Sequence, residues 1–386
     1  MSPSDRALRA SDPSPRGRAV RAALLALALL GCTGEDPTEP GAELARGVTV
    51  LNGFGRPGVT TLDTALVQAS FVDLGSDFDA GAFTVQGDTV AAASSKGAGD
   101  KLYIVDLATT ATRTVQLPAG SNPSGVEFLR GTGNARFAVA LRDAGEVAVV
   151  SVPGGNAAPT ITRIGGAGVC PNDAVLVGDD LWSVDANSRC STDYAVLGPA
   201  RLIRVASAQG RDTIDLGSRV QGSGTSATEL GGYIFVASTG VANFATGQVT
   251  VPGAIAQVIP STGEVVSVLQ MPAGTWGAGM RVGLDGRLYV VAYENLTTFT
   301  LRVYAVDPET MAFTGTRATG QQYLRLAKAA GGDAACASAS ADADGTVYCV
   351  ENGALAAARV YVFTPDGDEI RNGAAGQGAV DLTLLR

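Results

Sequence analysis

The sequence has no histidine. That single absence excludes imidazole acid–base catalysis, Ser-His-Asp and Cys-His pairs, and His-ligated zinc. Charge is sparse as well. Asp, Glu, Lys and Arg make up 17% of the residues, and long Glu/Lys/Leu stretches with helical period are missing, so a helical bundle is not expected. No apolar run approaches the roughly twenty residues that a helix needs to span a bilayer. The acidic balance, −9 at neutral pH, argues against nucleic acid or anionic lipid as a partner. Glycine is plentiful, 50 residues in 386, beside 46% hydrophobic residues, which is the composition of a turn-rich all-β chain. Two or three domains are usual at this length, but a closed repeat array takes up the same length as one.

The first 21 residues carry Arg6, Arg9, Arg16, Arg18 and Arg21, and Ala22 to Leu30 form an apolar run. These are the charged and hydrophobic parts of an export signal. The run closes on Leu29-Leu30-Gly31-Cys32, which resembles the lipobox of bacterial lipoproteins. The resemblance implies cleavage before Cys32 and acylation of its thiol and amine, so residues 1–31 are expected to be a lipoprotein signal peptide. Residues 32–46, rich in Pro, Gly and acidic side chains, are expected to be the lipidated Cys and a flexible tether, with several acyl chains giving stable anchorage. The location implied is the cell envelope, periplasmic or cell-surface. Thr33 in place of Asp after the Cys points to the outer membrane if the host is diderm. Removing the leader takes away five Arg and two Asp, moving the net charge from −9 to −12.

From Gly279 to Thr310 apolar residues alternate with period two, interrupted at Asp285-Gly286, a tight-hairpin signal, and ending on Asp307-Pro308-Glu309-Thr310. Ala312 to Thr316 reads as a returning fourth strand. Equivalent third strands end at Asp63, Asp106, Pro153, Ala206, Pro260, Asp307 and Thr364, a spacing of about 43 to 57 residues that falls in the range of propeller blades. Second strands are expected at Val48 to Asn52, Thr89 to Ser94, Arg136 to Arg142, Asp180 to Asp185, Tyr233 to Ser238, Arg287 to Tyr293 and Thr346 to Glu351. Innermost strands precede six of them, for example at Gly125 to Leu129 and Asn172 to Val177. The first unit lacks one, whereas Ala379 to Arg386 reads as a strand with no unit. The prediction is an all-β, seven-bladed β-propeller over residues 47–386 in which the C-terminal strand completes the first blade. An open ring would leave an apolar blade face exposed.

Asn122-Pro123-Ser124-Gly125-Val126, the run Asp285 to Ala292, and third strands ending Val-Asp before a Thr-Gly-type turn resemble the YncE-like and surface-layer-type seven-bladed propellers, with NHL-repeat proteins a near neighbour. The resemblance covers residues 46–386. It implies the fold; for function it implies families that include many binding proteins with no known reaction.

Four further cysteines form two local pairs, in a chain expected to meet an oxidising compartment. Cys336 and Cys349 flank the Asp342-Ala343-Asp344-Gly345 turn, so a hairpin would set them opposite one another. Cys170 precedes the first strand of the fourth blade, and Cys190 lies in the loop after its second strand. Disulfides Cys170–Cys190 and Cys336–Cys349 are predicted, each worth about 2 to 4 kcal/mol. Asp342-x-Asp344-Gly345 reads as a hairpin turn, since no Glu follows where a calcium loop needs one.

In a propeller the loops entering the innermost strands and leaving the second strands converge on one end of the channel, where ligands usually bind. The converging positions are Asn52, Asp77, Asp79, Lys96, Asn122, Arg142, Asn172, Asp173, Asp185, Trp276, Tyr293, Glu294, Asn295, Glu351 and Asn352. Carboxylates and amides there suit Ca²⁺ or a polar ligand, with Arg142 and Trp276 offering charge and stacking; singly, each residue also suits a strand cap or an Asx turn. Propeller lactonases of the gluconolactonase and paraoxonase type hold Ca²⁺ with Glu, Asn and Asp, and Glu351, Asn295, Asn172 and Asp185 are the set that would imitate them. The reading reached is a lipid-anchored, monomeric binding or scaffold module without catalysis, with an unknown protein or small polar ligand on the channel face. Two alternatives stay open: a calcium-dependent lactonase or esterase, marked by a buried acidic channel cluster holding a cation, and a structural part of a surface layer.

Overall fold

The computed structural model of the chain describes residues 44–53, 55–95, 100–130, 134–155, 157–206, 212–315, 321–351 and 357–386. The expected signal peptide, Cys32 and most of the tether lie outside the described residues, as do Lys96 and Asn352. Contacts with the propeller begin at Ala45, which is buried and whose N–H donates to the Asp342 carboxylate (3.0 Å).

Seven antiparallel four-stranded sheets make up the structure. Blade 1 runs from its outer edge inward as Gln68–Asp73, Gly58–Asp63, Gly47–Asn52 and, innermost, Ala379–Leu385. The C-terminal strand therefore supplies the missing inner strand, with Val50 opposite Leu382 and Arg46 N–H donating to Leu385 O (2.8 Å). Blades 2 to 7 follow in chain order, and their innermost strands are Ala80–Gln86, Pro123–Phe128, Pro171–Val177, Thr225–Leu230, Trp276–Val282 and Cys336–Ala341. Each innermost strand neighbours those of the two adjacent blades, and Ala379–Leu385 lies between those of blades 2 and 7. The row is thereby a ring.

Seven apolar clusters correspond to the seven blade-to-blade interfaces. In blade 7, Tyr348 and Val350 pack toward blade 1 while Val347 and Cys349 pack toward blade 6. Successive side chains of a strand point to opposite faces, so a middle strand of a blade must be apolar on both. Gly47–Asn52 is accordingly buried throughout. At roughly 25 cal/mol per Å² of apolar surface, seven such interfaces are the main favourable term for the ring.

The second strands match expectation within one or two residues, and those of blades 2, 4 and 5 match at both ends. Three features depart from expectation. The fourth strand of blade 6 is only Ala312–Phe313. Blade 5 carries an added ribbon, Val241–Asn243 paired with Gln248–Val251, which the period-two pattern did not mark. Cys349 stands opposite Ala339 because the turn pairs Asp342 with Thr346, and a bulge between Cys336 and Ser338 then sets Cys336 opposite Glu351. The disulfide is thus diagonal, not directly cross-strand, with a Cα–Cα separation of 5.4 Å; Cys170–Cys190 spans 5.7 Å. Both pairs fit an oxidising, extracytoplasmic compartment.

Candidate functional site

A cavity of about 640 Å³ runs along the ring axis and is lined from the innermost strand of every blade. Its charged side chains are Glu127, Arg130, Asp173, Glu229, Arg281 and Asp381. Arg281 of blade 6 holds Asp381 of blade 1 through Nε (3.2 Å) and its terminal nitrogen, with its guanidinium 5.5 Å from the Phe83 ring of blade 2. Two parallel N–H donors on one carboxylate fix both side chains. Asp173 accepts from the N–H groups of Ala174 (2.9 Å) and Ala227 (2.9 Å), tying blade 4 to blade 5. Blade 3 approaches so closely there that a Cβ on Gly125 would stand 2.4 Å from Asp173 Oδ1, which requires glycine.

Two of these carboxyls, those of Glu127 and Asp173, have acidities shifted by burial. Burial pushes the Glu127 carboxyl up to about 8, and the charges of Asp173 and Glu229 add to the effect. Burial pushes Asp173 up to about 6, opposed by its two N–H donors and by Arg281. Near neutral pH, Glu127 therefore keeps its proton while Asp173 gives it up.

The predicted residues fall into three environments. Asn172 and Asp173 line the cavity, Asn172 donating to Ser223 O (3.1 Å). A second group is bound into the scaffold. Asn52 is fully buried, donates to Ala375 O (2.7 Å) and accepts from the Thr60 hydroxyl (2.7 Å). Asp185, also fully buried, accepts from the N–H groups of Val169, Cys170 and Asn187 and from the Arg201 guanidinium. Glu351 pairs with Lys328 (3.0 Å) and accepts from Ala335 N–H (3.1 Å). Arg142 opens a short 3-10 turn beside Asp143 and lies 5.9 Å from the Tyr194 ring, and Asn122 donates to Asp143 (3.2 Å). Asp79 N–H donates to Ser94 (2.9 Å), and Glu294 pairs with Arg302 (3.1 Å). Asn295 closes an Asx turn by accepting from Thr297 and Thr298. The third environment is aromatic: Trp276 packs on Tyr293 and Phe244, and Tyr293 on Phe299, with centroids 5.7, 5.3 and 6.1 Å apart.

Of the four side chains considered for Ca²⁺, Asn172 and Asp185 both meet Cys170, whereas Glu351 and Asn295 belong to separate hydrogen-bond networks. Among the described residues no group of three or more Asp, Glu or Cys is placed to hold a metal ion. The donor set does not fit a calcium centre of the lactonase kind.

The sequence reading missed Glu127, Glu229, Arg281 and Asp381. A signal existed: each is a lone charge inside an innermost strand, as in Val126-Glu127-Phe128 and Met280-Arg281-Val282. Charged residues are expensive to bury unpaired, so charges recurring at that depth in four blades mark a shared polar interior.

No family model and no curated protein matches the chain. Solved structures do. A protein from Lactobacillus plantarum aligns over 89% of this chain and 100% of its own, with 16% identity and a TM-score of 0.57. Hydrazine synthase from Kuenenia stuttgartiensis aligns over 83% of this chain and 98% of that one, with 12% identity and a TM-score of 0.53. A catalytically inactive His-to-Ala variant of virginiamycin B lyase from Staphylococcus aureus, crystallised with quinupristin, aligns over 80% and 92%, with 11% identity and a TM-score of 0.50. At these identities the likeness speaks to fold alone, and the fold in which it joins the sheet topology is the seven-bladed β-propeller.

Proposed function

We propose that this chain is an extracytoplasmic binding module that takes a polar ligand into its axial channel without transforming it, and that lipid on Cys32 holds it at the envelope. The observation that carries this reading is the cavity of about 640 Å³ walled by all seven blades, a size that suits a small ligand. The absence of histidine supports it. The lyase among the similar structures is inactive with a histidine replaced by Ala, and this chain has none to offer. The commitment of Asp185 and Glu351 to scaffold contacts further supports binding over metal-assisted hydrolysis. The hydrolase reading keeps one observation in its favour: Glu127 and Asp173 have acidities driven apart, as a general acid and base would.

A melting-shift screen of small polar compounds separates the two. The expectation is compounds that raise the melting temperature of the wild type and not of the Glu127→Gln, Glu229→Gln double variant, with no turnover of esters or lactones with or without Ca²⁺. Turnover that the same substitutions abolish would establish the enzyme instead. For the anchor, palmitate labelling is expected for the wild type and not for Cys32→Ala; equal labelling, or none in either, removes the lipid claim.

A further inference from the structure

We infer that Phe244, Trp276, Tyr293 and Phe299 form a docking platform for an organic ammonium ligand whose charged end enters the channel beneath; the inference rests on the channel being a binding cavity. The four rings are contiguous and mostly edge-to-face, yet Phe244 is 61% exposed and Phe299 66%. Exposed apolar rings in contact with one another are the mark of an interaction site.

The chain goes out of its way to display these rings. Phe244 stands at the tip of the ribbon Val241–Asn243/Gln248–Val251, an addition found in blade 5 alone among the described residues. The Asn243 side chain accepts from the N–H groups of Ala245 (3.0 Å) and Thr246 (3.3 Å), shaping that tip. Phe299 sits at a φ of 52°, the left-handed region that a bulky side chain occupies only at a cost of about 1 to 3 kcal/mol. The Asx turn of Asn295 holds the loop that puts it there.

The platform leads into the channel. Trp276 begins the innermost strand whose Gly279 and Arg281 line the cavity, about 10 Å and about 17 Å farther along at the usual rise of a strand. A second cavity of about 90 Å³, lined by Gly277 next to Trp276 in sequence, shares Thr225, Ser226 and Gly279 with the first. The channel walls choose the ligand's charge. Arg281 is answered by Asp381 and Glu127 keeps its proton near neutral pH, which leaves Asp173 and Glu229 against Arg130. Ring faces attract cations by cation–π contact, and the surplus carboxylate repels an anion.

Titration calorimetry at pH 7.5 with 2-phenylethylammonium, 2-phenylethanol and 3-phenylpropanoate tests this, with Trp276 fluorescence as a second readout. The ammonium compound is expected to bind at least tenfold more tightly than the other two. The Phe244→Ser, Phe299→Asn double variant, which alters only exposed rings and suits the left-handed backbone, should weaken it tenfold or more with the melting temperature unchanged. Equal binding of the alcohol, tighter binding of the carboxylate, no effect of the ring variant, or no ammonium binding up to roughly 10 mM overturns the inference. A compound from the melting-shift screen that needs Glu127 and Glu229 while the ammonium stays silent removes the platform and leaves the channel reading; a screen with no such compound removes the channel reading itself.

Discussion

Replacing Glu127 by Gln takes away a carboxyl whose ionisation the fold opposes, and the effect should appear as a change in how stability depends on pH. The folded chain moves this group from 4.5 to about 8, by burial first and then by the neighbouring Asp173 and Glu229. Folded Glu127 thus holds its proton more tightly than unfolded Glu127. Its contribution is fully present below pH 4.5, declines as pH rises, and is lost above about 8. At about 1.4 kcal/mol per pH unit the full loss would be near 5 kcal/mol, and water in the open cavity reduces it to ~2 to 5 kcal/mol. Asp173, raised to about 6, works in the same direction at lower pH. Gln matches the protonated acid in shape, so wild type and Glu127→Gln should melt alike at pH 5. At pH 9 the variant should melt higher by ~3 to 7 °C, taking an unfolding entropy of about 2.1 cal/mol/K per residue over the roughly 340 residues of the propeller. Scanning calorimetry between pH 5 and pH 9 measures the difference. A gap that stays constant across that range would refute the idea that the channel strips Glu127 of water.

Other outcomes follow from the scaffold. Leu382→Ala, which empties a fully buried position on the strand completing blade 1, should cost about 2 to 5 kcal/mol in urea unfolding; a loss under 1 kcal/mol would mean that the strand does not close the ring. Asp185→Ala strips three N–H groups and Arg201 of a buried partner and should cost about 3 to 5 kcal/mol, whereas Arg142→Ala, partly exposed at the same end, should stay within about 1 kcal/mol. Equal effects in urea would show that the scaffold role of Asp185 is wrong. Breaking Cys336–Cys349 with paired Ser substitutions should lower stability by about 3 kcal/mol, the amount for closing a short loop, with no further response to reductant at that site; an unchanged unfolding midpoint would contradict the bond.

The sequence made the wheel legible and its hub illegible. Blade count followed from hairpin turns such as Asp285-Gly286 and from third strands ending Val-Asp, because turns need particular backbone conformations and few residues supply them. The closing strand was legible because Ala379 to Arg386 had strand pattern and no partner of its own. Glu127, Glu229, Arg281 and Asp381 escaped because pattern reading assigns a lone charge in a strand to its solvated face, and in a ring the innermost strands have no such face. Asn52 and Asp185 sat at the expected end but turned inward, since an Asn or Asp at a strand end serves a neighbouring N–H as readily as a ligand. The diagonal disulfide was hidden because the turn pairs Asp342 with Thr346, a loop length that residue types alone do not reveal.

Blade 1 joins residues from opposite ends of the described chain: Gly47–Asn52 lies hydrogen-bonded to Ala379–Leu385. Such a seam makes the ring indifferent to where its covalent break falls. A circular permutant that links residue 386 to residue 44 and opens the loop between blades 3 and 4 would present all four strands of blade 1 as one uninterrupted meander. It would also remove the long-range strand pairing, the slow step of assembly, and leave only the packing of blade 3 on blade 4 to bring the new ends together, without altering the hub.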